Sequence, residues 1–447
     1  MSLPIRIVEG ATAARATILR RESLGQAASP DTLAFLRRVF GRDISPEEAV
    51  AEVIAAVGRD GDAAVRRLTL AMDSVTVDEL LVPEDVVQSA FDSLAPRVRE
   101  ALTLAAARIR AFHERQRPSS WLDWQADGAL GQMVRPLQRV GVYVPGGSAP
   151  LASSLLMAAV PARVAGVDEI IVATPPQRDS GWPHPVVLAA ARVAGVDRVY
   201  RVGGAPAVAA MALGTESVPR VDKIVGPGRL LVVLAKKALF GVVGIESLPG
   251  PTETLLVADD SADPALVAAD ILAQAEHVDA SALLLTTSPA LVGLVCAQLE
   301  RQIGSLRGSA AEESLLQRGG IGVVESVEQA LQLANEYAPE HLCLLVRDPW
   351  RWLPQVRNAG GVFLGELASE ALGDYVLGPS HIMPTGGTAR FASPVNVWDF
   401  VKITSIFAPG AADVAAITDA GAALAEAEGL LAHRNAMLMR LPGAPRT

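Results

Sequence analysis

Apolar residues recur every three or four positions along roughly the first 120 residues, which is the period of an amphipathic helix. The spacing predicts helices over residues 11–21, 46–57, 61–71, 83–93 and 96–116. None of these segments carries an obvious cluster of reactive side chains. We therefore expect this region to be a helical scaffold.

From about residue 130 the pattern changes to short apolar strands that alternate with helices. Val140, Val142 and Val144 alternate along a predicted strand, which ends at the PGGS turn of residues 145–148, and a helix follows over about 150–164. Strand, glycine turn and helix together can present backbone N–H groups to a phosphate. The turn lacks the full G-x-G-x-x-G fingerprint, so a plain tight turn explains it equally well.

An internal repeat favours the phosphate-binding interpretation. The heptapeptide ARVAGVD occurs at residues 162–168 and again at 191–197, and VDKIV at 221–225 opens a third unit in the same way. Each ARVAGVD copy ends a helix at a glycine and is followed by a short apolar strand, as in βα units around a parallel sheet. We expect a nucleotide-binding-like domain whose ligand lies beyond the carboxyl ends of the strands.

A second α/β set follows residue 250. Its predicted strands share short apolar runs and are separated by helices: 254–258, 282–286, 322–324, 341–346 and 362–364. Residues 385–393 are rich in Gly, Thr and Ser and predict a loop, whereas 411–440 predict a long helix and 441–447 a frayed tail.

Composition narrows the class of protein. The 447 residues are 50% apolar and only 4% aromatic, and the net charge of −10 argues against a protein that binds a nucleic-acid backbone. The N-terminus shows no basic-then-apolar signal, and no apolar run reaches the ~18 residues of a membrane span. With only Cys296 and Cys343, a disulfide framework is excluded. We expect a cytoplasmic protein.

Candidate chemistry begins at the end of one predicted helix. Asp263 can cap the helix over 264–275, and Gln274 and His277, three residues apart, lie on one face at its end. An amide oxygen and an imidazole there form either half of a metal site or a solvated helix end. Glu340 and His341 stand side by side after Pro339; they could activate water and move protons, or form a surface pair at a strand start.

Four further polar residues stand toward the C-terminus, in two pairs. Asp374 and His381 lie seven residues apart in a Gly- and Pro-rich loop. Glu428 and His433 lie on the predicted final helix, and their spacing of five residues places them on different faces. By spacing alone the last two are independent surface residues, unless a partner subunit brings them into one site.

Several motifs together resemble those of the histidinol dehydrogenase family, and the resemblance runs through nearly the whole chain. The motifs that carry it are VYVPGGSAPLASSLLMAAVPA, TESVPRVDKIVGPG, GPTETLLVAD, QAEH, EYAPEHL, GDYVLGPSH, MPTGGTARFASP and the C-terminal E-x-x-x-x-H.

The resemblance implies a role for each matching residue. It implies one zinc per subunit, with ligands at Gln274, His277, Asp374 and His433, the last supplied by the other subunit of a homodimer. It implies Glu340 and His341 as the catalytic acid–base pair. The implied substrate-site residues are Thr252, Gln274, His277, His341, Asp374, His381, Glu428 and His433. Tyr143 matches a cofactor contact, as do positions 206 and 229.

The family reaction is the four-electron oxidation of L-histidinol to L-histidine through the aldehyde, with two NAD used in turn. The implied fold is an α/β fold with two Rossmann-like domains on parallel-type sheets, a helical N-terminal region and a C-terminal helical arm. We expect an N-terminal region at 1–128, partly packed with the second α/β domain, and a nucleotide-binding-like domain at 129–245. A zinc and catalytic domain at 246–384 and a dimerisation arm at 385–447 would complete the chain.

Three positions depart from the family pattern. Pro206 stands where Gln is expected and Arg229 where Asn is expected, both at NAD-contact positions, and Arg229 could face a phosphate. Thr252 replaces a Ser and keeps the hydroxyl. Two alternatives follow: a related zinc and NAD dehydrogenase of another small polar alcohol, such as a sulfonated diol, or a zinc-binding protein without redox activity.

Overall fold

The computed structural model describes residues 5–21, 28–124, 127–146, 150–306 and 310–444. The chain forms two compact units, one of residues Met1–Gln116 with Leu137–Phe400 and one of Arg117–Pro136 with Val401–Thr447. The predicted division into four segments stays a prediction. The predicted PGGS turn lies partly outside the described residues, since positions 147–149 fall in a gap.

Strands and helices alternate along most of the first unit. The strands of the described residues are β1 (Arg6–Glu9), β2 (Trp121–Trp124), β3 (Ala129–Pro136), β4 (Arg139–Tyr143), β5 (Glu169–Thr174), β6 (Arg198–Arg201), β7 (Lys223–Val225), β8 (Gly244–Ile245), β9 (Glu253–Ala258), β10 (Ser281–Thr286), β11 (Gly319–Val323), β12 (His341–Leu345), β13 (Gly361–Leu364) and β14 (Val401–Ala408). The helices are α1 (Ala11–Ala16), α2 (Pro30–Phe40), α3 (Pro46–Asp73), α4 (Glu84–Ser93), α5 (Pro96–His113), α6 (Ala152–Ala165), α7 (Pro185–Ala194), α8 (Gly204–Leu213), α9 (Leu230–Leu239), α10 (Pro264–Ala275), α11 (Pro289–Ile303), α12 (Ala311–Arg318), α13 (Val327–Tyr337), α14 (Pro349–Trp352), α15 (Glu370–Tyr375), α16 (Ala411–Ala427) and α17 (Leu431–Leu438).

Two parallel sheets organise the first unit, which confirms the predicted α/β class. The first has the order β6-β5-β4-β7-β8 and the second the order β1-β11-β10-β9-β12-β13. Apart from the edge strand β1, both follow the doubly wound order in which the first strand of the set lies centrally and the chain then builds outward on both sides. The strand order therefore reverses between β4 and β7 in one sheet and between β9 and β12 in the other.

The ARVAGVD repeat explains how two βα units of the first sheet are joined. Gly166 and Gly195 end their helices in the left-handed conformation, with φ of 90° and 73°. Arg163 of the first copy donates to the Gly195 carbonyl oxygen (2.6 Å) and to the Asp197 carboxylate of the second copy. Asp197 also accepts from the Ile170 backbone N–H at 2.7 Å. The two copies thus hold neighbouring strands in register.

The structure differs from the sequence-based expectation at both ends of the chain. Residues 6–9 form the edge strand β1, and the two helices predicted over 46–71 join as α3 with a kink at Gly61. The second unit contains an antiparallel sheet in the order β14-β3-β2, which the pattern did not indicate because β14 is largely exposed along its length. The predicted C-terminal helix is broken into α16 and α17 around Gly429, whose φ is 76°.

No described helix is both long enough and apolar enough to cross a membrane.

Candidate active site at the amino edge of the second sheet

Three of the polar residues singled out in the second half of the chain lie where β9 and β12 begin. Thr252 immediately precedes β9, Glu340 immediately precedes β12, and His341 is the first residue of β12, paired with Thr254. These are the two strands between which the strand order reverses. The cluster lies at the amino ends of the strands, whereas open parallel sheets commonly bind ligands at the carboxyl ends.

His341 is buried, with 3% of its surface exposed, and the hydrogen bond at one ring nitrogen determines the role of the other. Its Nδ1 lies 3.1 Å from the Glu253 backbone carbonyl oxygen, so this nitrogen carries the proton and donates it. In the neutral ring Nε2 is then the unprotonated nitrogen, and it has no hydrogen-bond partner among the described residues although it is buried. A buried basic nitrogen without a partner is suited to accept a proton from a bound molecule.

Glu340 is also buried, and its carboxylate accepts two hydrogen bonds at Oε2. The Thr252 hydroxyl donates at 2.6 Å and the Glu253 backbone N–H at 3.0 Å. Burial raises the pKa of Glu340 to about 7, against the opposing effects of His341 and of these two donors. A carboxyl group with this pKa can both take up and release a proton near neutral pH.

Gln274, the next-to-last residue of α10, lies against this pair. One terminal atom of its side-chain amide lies 2.5 Å from Glu370 Oε1, and the other lies 2.7 Å from Thr252 Oγ1 and 3.0 Å from Glu253 N. Glu370 begins α15, is 2% exposed, and places Oε1 3.7 Å from His341 Nδ1. Burial and the neighbouring carboxylates raise the pKa of Glu370 well above its usual range.

Asp374 lies near the other ring nitrogen of His341, and His381 contacts Asp374. Asp374 Oδ1 is 4.0 Å from His341 Nε2 and 3.6 Å from His381 Nδ1. His381 donates from Nδ1 to the Asp374 backbone carbonyl oxygen at 2.7 Å, so its Nε2 accepts from the Ser154 hydroxyl at 3.0 Å. Burial lowers the pKa of His381, against the opposing effects of the Asp374 carboxylate and backbone carbonyl. His381 is therefore a neutral imidazole between α6 and this site.

His277 is exposed just beyond the end of α10. Within the described part of the chain, no three side chains of His, Cys, Asp or Glu converge closely enough to hold a metal ion. Gln274, His277 and Asp374 nevertheless supply an amide, an imidazole and a carboxylate, a set of N and O donors that zinc accepts. The three residues fit zinc in donor type, and a fourth ligand would have to come from outside this set.

Glu428 and His433 belong to the second unit. Glu428 follows the last residue of α16, and His433 lies in the short helix α17. Both side chains are exposed. Because the helix is broken between them, the helical-face argument from their five-residue spacing does not apply.

A second polar edge lies at the carboxyl ends of β4 and β7 in the first sheet. Tyr143 ends β4 and is 5% exposed, and its hydroxyl accepts from the Gly204 backbone N–H at 3.1 Å. Burial raises the pKa of Tyr143 to about 12, and the nearby charge of Arg229 opposes this rise. Arg229 is exposed at the start of α9, whereas Pro206 is buried in the first turn of α8 and offers no polar group.

A buried ion pair supports the loop that follows β7. Gly226 donates its backbone N–H to Glu246 Oε1 at 2.8 Å, and Lys236 Nζ lies 2.6 Å from Glu246 Oε2 and 3.2 Å from the Gly226 carbonyl oxygen. The Lys236 and Glu246 side chains are 0% and 2% exposed. Gly226 has φ of 119°, and a Cβ there would overlap the Tyr143 carbonyl oxygen. The ion pair and the glycine together fix this loop beside Tyr143.

The family model described as histidinol dehydrogenase matches residues 38–441. A histidinol dehydrogenase of Deinococcus radiodurans is 52% identical over 98% of this chain and 100% of its own, and one of Thermus thermophilus is 49% identical over 91% and 97%. The crystal structure of the histidinol dehydrogenase of Elizabethkingia anophelis superposes with a TM-score of 0.89 at 32% identity, over 98% of both chains.

The chain belongs to the histidinol dehydrogenase family. Members of the family are NAD-dependent oxidoreductases that act on the CH–OH group of histidinol, and the family uses NAD and zinc. The cluster around β9 and β12 contains the residues that the family resemblance marks as catalytic or substrate-binding in the first unit. The Tyr143 edge contains those that it marks as cofactor contacts.

Three residues of the cluster around β9 and β12 were not predicted from the sequence: Glu370, Glu253 and Ser154. Glu370 lies four residues before Asp374, so the period of a helix would have placed both on one face of α15. Glu253 contributes to the cluster mainly through its backbone N–H and carbonyl groups, which every residue type except proline has. Ser154 lies 227 positions from His381, a contact that no local pattern encodes.

The two cysteines lie in β12 and in α11. Cys343 is buried in β12 with its Sγ 3.9 Å from Glu370 Oε2, and burial raises its pKa well above the usual value. Cys296 in α11 is half-buried, and burial together with Glu300 raises its pKa. Both thiols are free.

Proposed function

We propose that this chain oxidises L-histidinol to L-histidine through the aldehyde in two successive NAD-dependent steps. The observation that carries the proposal is the buried, unpartnered Nε2 of His341, whose basic form is set by the Nδ1–H···O hydrogen bond to Glu253. Beside it lies Glu340, whose pKa of about 7 suits proton transfer in both directions.

His341 Nε2 would accept the hydroxyl proton of the alcohol as the hydride leaves its carbon for the nicotinamide. Glu340, as the carboxylate, would then take a proton from the water that attacks the aldehyde carbon. The resulting hydrate anion loses its second hydride to a second NAD, and His341 can again accept the remaining hydroxyl proton, which leaves the carboxylate. Each step places one proton on a side chain that can return it to solvent.

Gln274, His277 and Asp374 would hold zinc, together with the partner subunit's His433. When bound, the metal supplies a Lewis acid that orients the amino alcohol and polarises its oxygen. Thr252, His381 and the partner subunit's Glu428 would line the substrate. The C-terminal arm over 385–447 would make the homodimer.

Tyr143 and the loop fixed by the Lys236–Glu246 pair support NAD binding at the carboxyl edge of the first sheet. Arg229 would contribute a positive charge toward the pyrophosphate. Pro206 cannot donate or accept a hydrogen bond through its side chain, so NAD would be held without a polar side chain at that position. A cytoplasmic location stays a prediction.

Absorbance of NADH during turnover tests the reaction. We expect two NADH per histidinol and loss of activity after treatment with a chelator. If NADH forms with a sulfonated diol but not with histidinol, the substrate is the sulfonated diol and the proposal is wrong on this point. Failure of the protein to bind NAD at millimolar concentration in calorimetry would support the zinc-binding alternative.

The shared site has its own test. His433→Ala and Glu340→Ala subunits should each be inactive as homodimers. In verified mixed dimers one site keeps both functional residues, so activity should partly return. No recovery would contradict the contribution of His433 across the dimer.

A further inference from the structure

Arg21 lies after α1 and reaches from the N-terminal segment to the turn before the catalytic pair. Its guanidinium donates two hydrogen bonds to the Glu253 carboxylate, from Nε at 2.8 Å and from Nη2 at 2.5 Å. It also donates to the backbone carbonyl oxygens of Tyr337, through Nη1, and of Ala338, through Nη2 at 3.3 Å. The guanidinium carbon lies 3.6 Å from the centre of the Tyr337 ring.

The turn that Arg21 contacts is strained. Ala338 has φ of 50° and ψ of 66°, a left-handed conformation that is unfavourable for a residue with a Cβ. This conformation ends α13 and directs the chain through Pro339 into Glu340 and His341. The carbonyl oxygens at the end of a helix have no partner within the helix, and Arg21 satisfies two of them.

Glu253, the other residue that Arg21 contacts, touches both members of the catalytic pair through its backbone. Its N–H donates to Glu340 Oε2 at 3.0 Å, and its carbonyl oxygen accepts from His341 Nδ1 at 3.1 Å. The Glu253 side chain is 8% exposed and points to Arg21. Arg21 therefore joins the two backbone segments that determine where the Glu340 carboxylate and the His341 ring lie.

We propose that Arg21 is a positioning residue for Glu340 and His341. It touches neither side chain and acts through Glu253 and the two carbonyl oxygens at the end of α13. The proposal rests on the proposed function, in which this pair moves the protons. Arg21 precedes residue 38, where the match to the family model begins.

Arg15 offers a matched control. It lies in the same N-terminal segment and makes a two-point ion pair with Glu336 at 2.6 and 2.8 Å, next to Tyr337, but both side chains are exposed, at 43% and 45%. Arg15→Ala thus removes a two-point ion pair to α13, the helix that ends at this turn, without touching the turn or Glu253. An exposed pair contributes little, so we expect its kcat to stay within about twofold of the wild type.

Arg21→Ala should lower kcat by about 100-fold, because a misplacement of the catalytic groups by about 1 Å has an effect of that size. The KM for histidinol should change by less than about threefold, because the substrate contacts remain. Arg21→Lys keeps the charge but not the planar fork, so it should remain slow. A kcat for Arg21→Ala within about threefold of Arg15→Ala would overturn the proposal.

Chemical rescue separates positioning from a general loss of structure. Millimolar guanidinium ion, well below denaturing concentration, should restore part of the kcat of Arg21→Ala and leave Arg15→Ala and Glu340→Gln unchanged. Absence of rescue, together with an equal rise in KM and fall in kcat, would refute the positioning role.

Amide hydrogen exchange tests the anchoring without reference to catalysis. Gly360 and Gly361 donate their N–H groups to the carbonyl oxygens of Pro339 and Glu340 at 3.0 and 2.8 Å. In Arg21→Ala these amides should exchange faster than in Arg15→Ala, and equal rates would count against the proposal. If the wild-type protein fails to oxidise histidinol, the proposed function is refuted. The exchange rates would still decide whether Arg21 holds the turn.

Discussion

The hydrogen bond from the Thr252 hydroxyl to Glu340 Oε2, 2.6 Å long, allows the role of Glu340 as a base to be tested. Thr252→Val removes the donor and keeps the shape of the side chain. A hydrogen bond to a charged group contributes about 1.5–3 kcal/mol, and one pKa unit corresponds to about 1.4 kcal/mol. Since the lost bond favoured the carboxylate, the pKa of Glu340 should rise from about 7 to about 8 or 9.

The assay is the pH dependence of kcat for oxidation of the aldehyde, the step that needs the Glu340 carboxylate. In the wild type the rate should rise with pH through about 7. In Thr252→Val this rise should move up by about one to two pH units, so that the rate at pH 7 falls by about five- to fiftyfold and recovers above about pH 9.

Thr252→Ser is the matched control because it keeps the hydroxyl, and its pH profile should follow that of the wild type. Identical profiles for the Val and Ser variants would refute the reasoning. A uniform loss of rate at every pH in Thr252→Val would show instead that the hydroxyl acts on the substrate and not on Glu340.

Three further predictions concern the supporting residues. Lys236→Met should lower the free energy of unfolding by about 3–5 kcal/mol in chemical denaturation, because Glu246 is left charged and buried. The double variant Lys236→Met with Glu246→Leu should recover most of this loss, and equal stability of the single and double variants would contradict the prediction. Arg229→Asn should weaken NAD binding about three- to tenfold in calorimetry through the lost charge, and tighter binding would show that Arg229 obstructs the cofactor. Glu370→Leu should lower zinc affinity about 10- to 100-fold in chelator competition, because the Gln274 amide loses its hydrogen-bond partner. Glu370→Gln keeps a polar partner and should not lower the affinity; equal zinc affinities of the two variants would exclude this support.

Glycine stops and apolar runs predicted the parallel sheets well, because burial on both faces of such a sheet leaves a strong signal. The strand predicted over 341–346 is observed as His341–Leu345, and the one over 254–258 as Glu253–Ala258. The antiparallel sheet of the second unit was missed, since exposed strands such as β14 need no apolar alternation.

The site was harder to predict than the strands that hold it. Periodicity identifies a strand but not which of its ends carries a site, and the cluster at β9 and β12 lies at the less common amino edge. The turn before Glu340 and His341 is made by Ala338 in a left-handed conformation, which the identity of an alanine does not indicate. Arg21 stands 232 positions before Glu253, and only the fold brings the two charges together.

The environment of the two thiols has a consequence for oxidative stress. Peroxides and alkylating reagents attack the thiolate form of cysteine, and a raised pKa keeps that form scarce. The pKa values of Cys343 and Cys296 are both raised, and Cys343 is also 1% exposed. The catalytic pair consists of a carboxyl group and an imidazole. Turnover should therefore persist under peroxide exposure that inactivates enzymes with an essential thiolate.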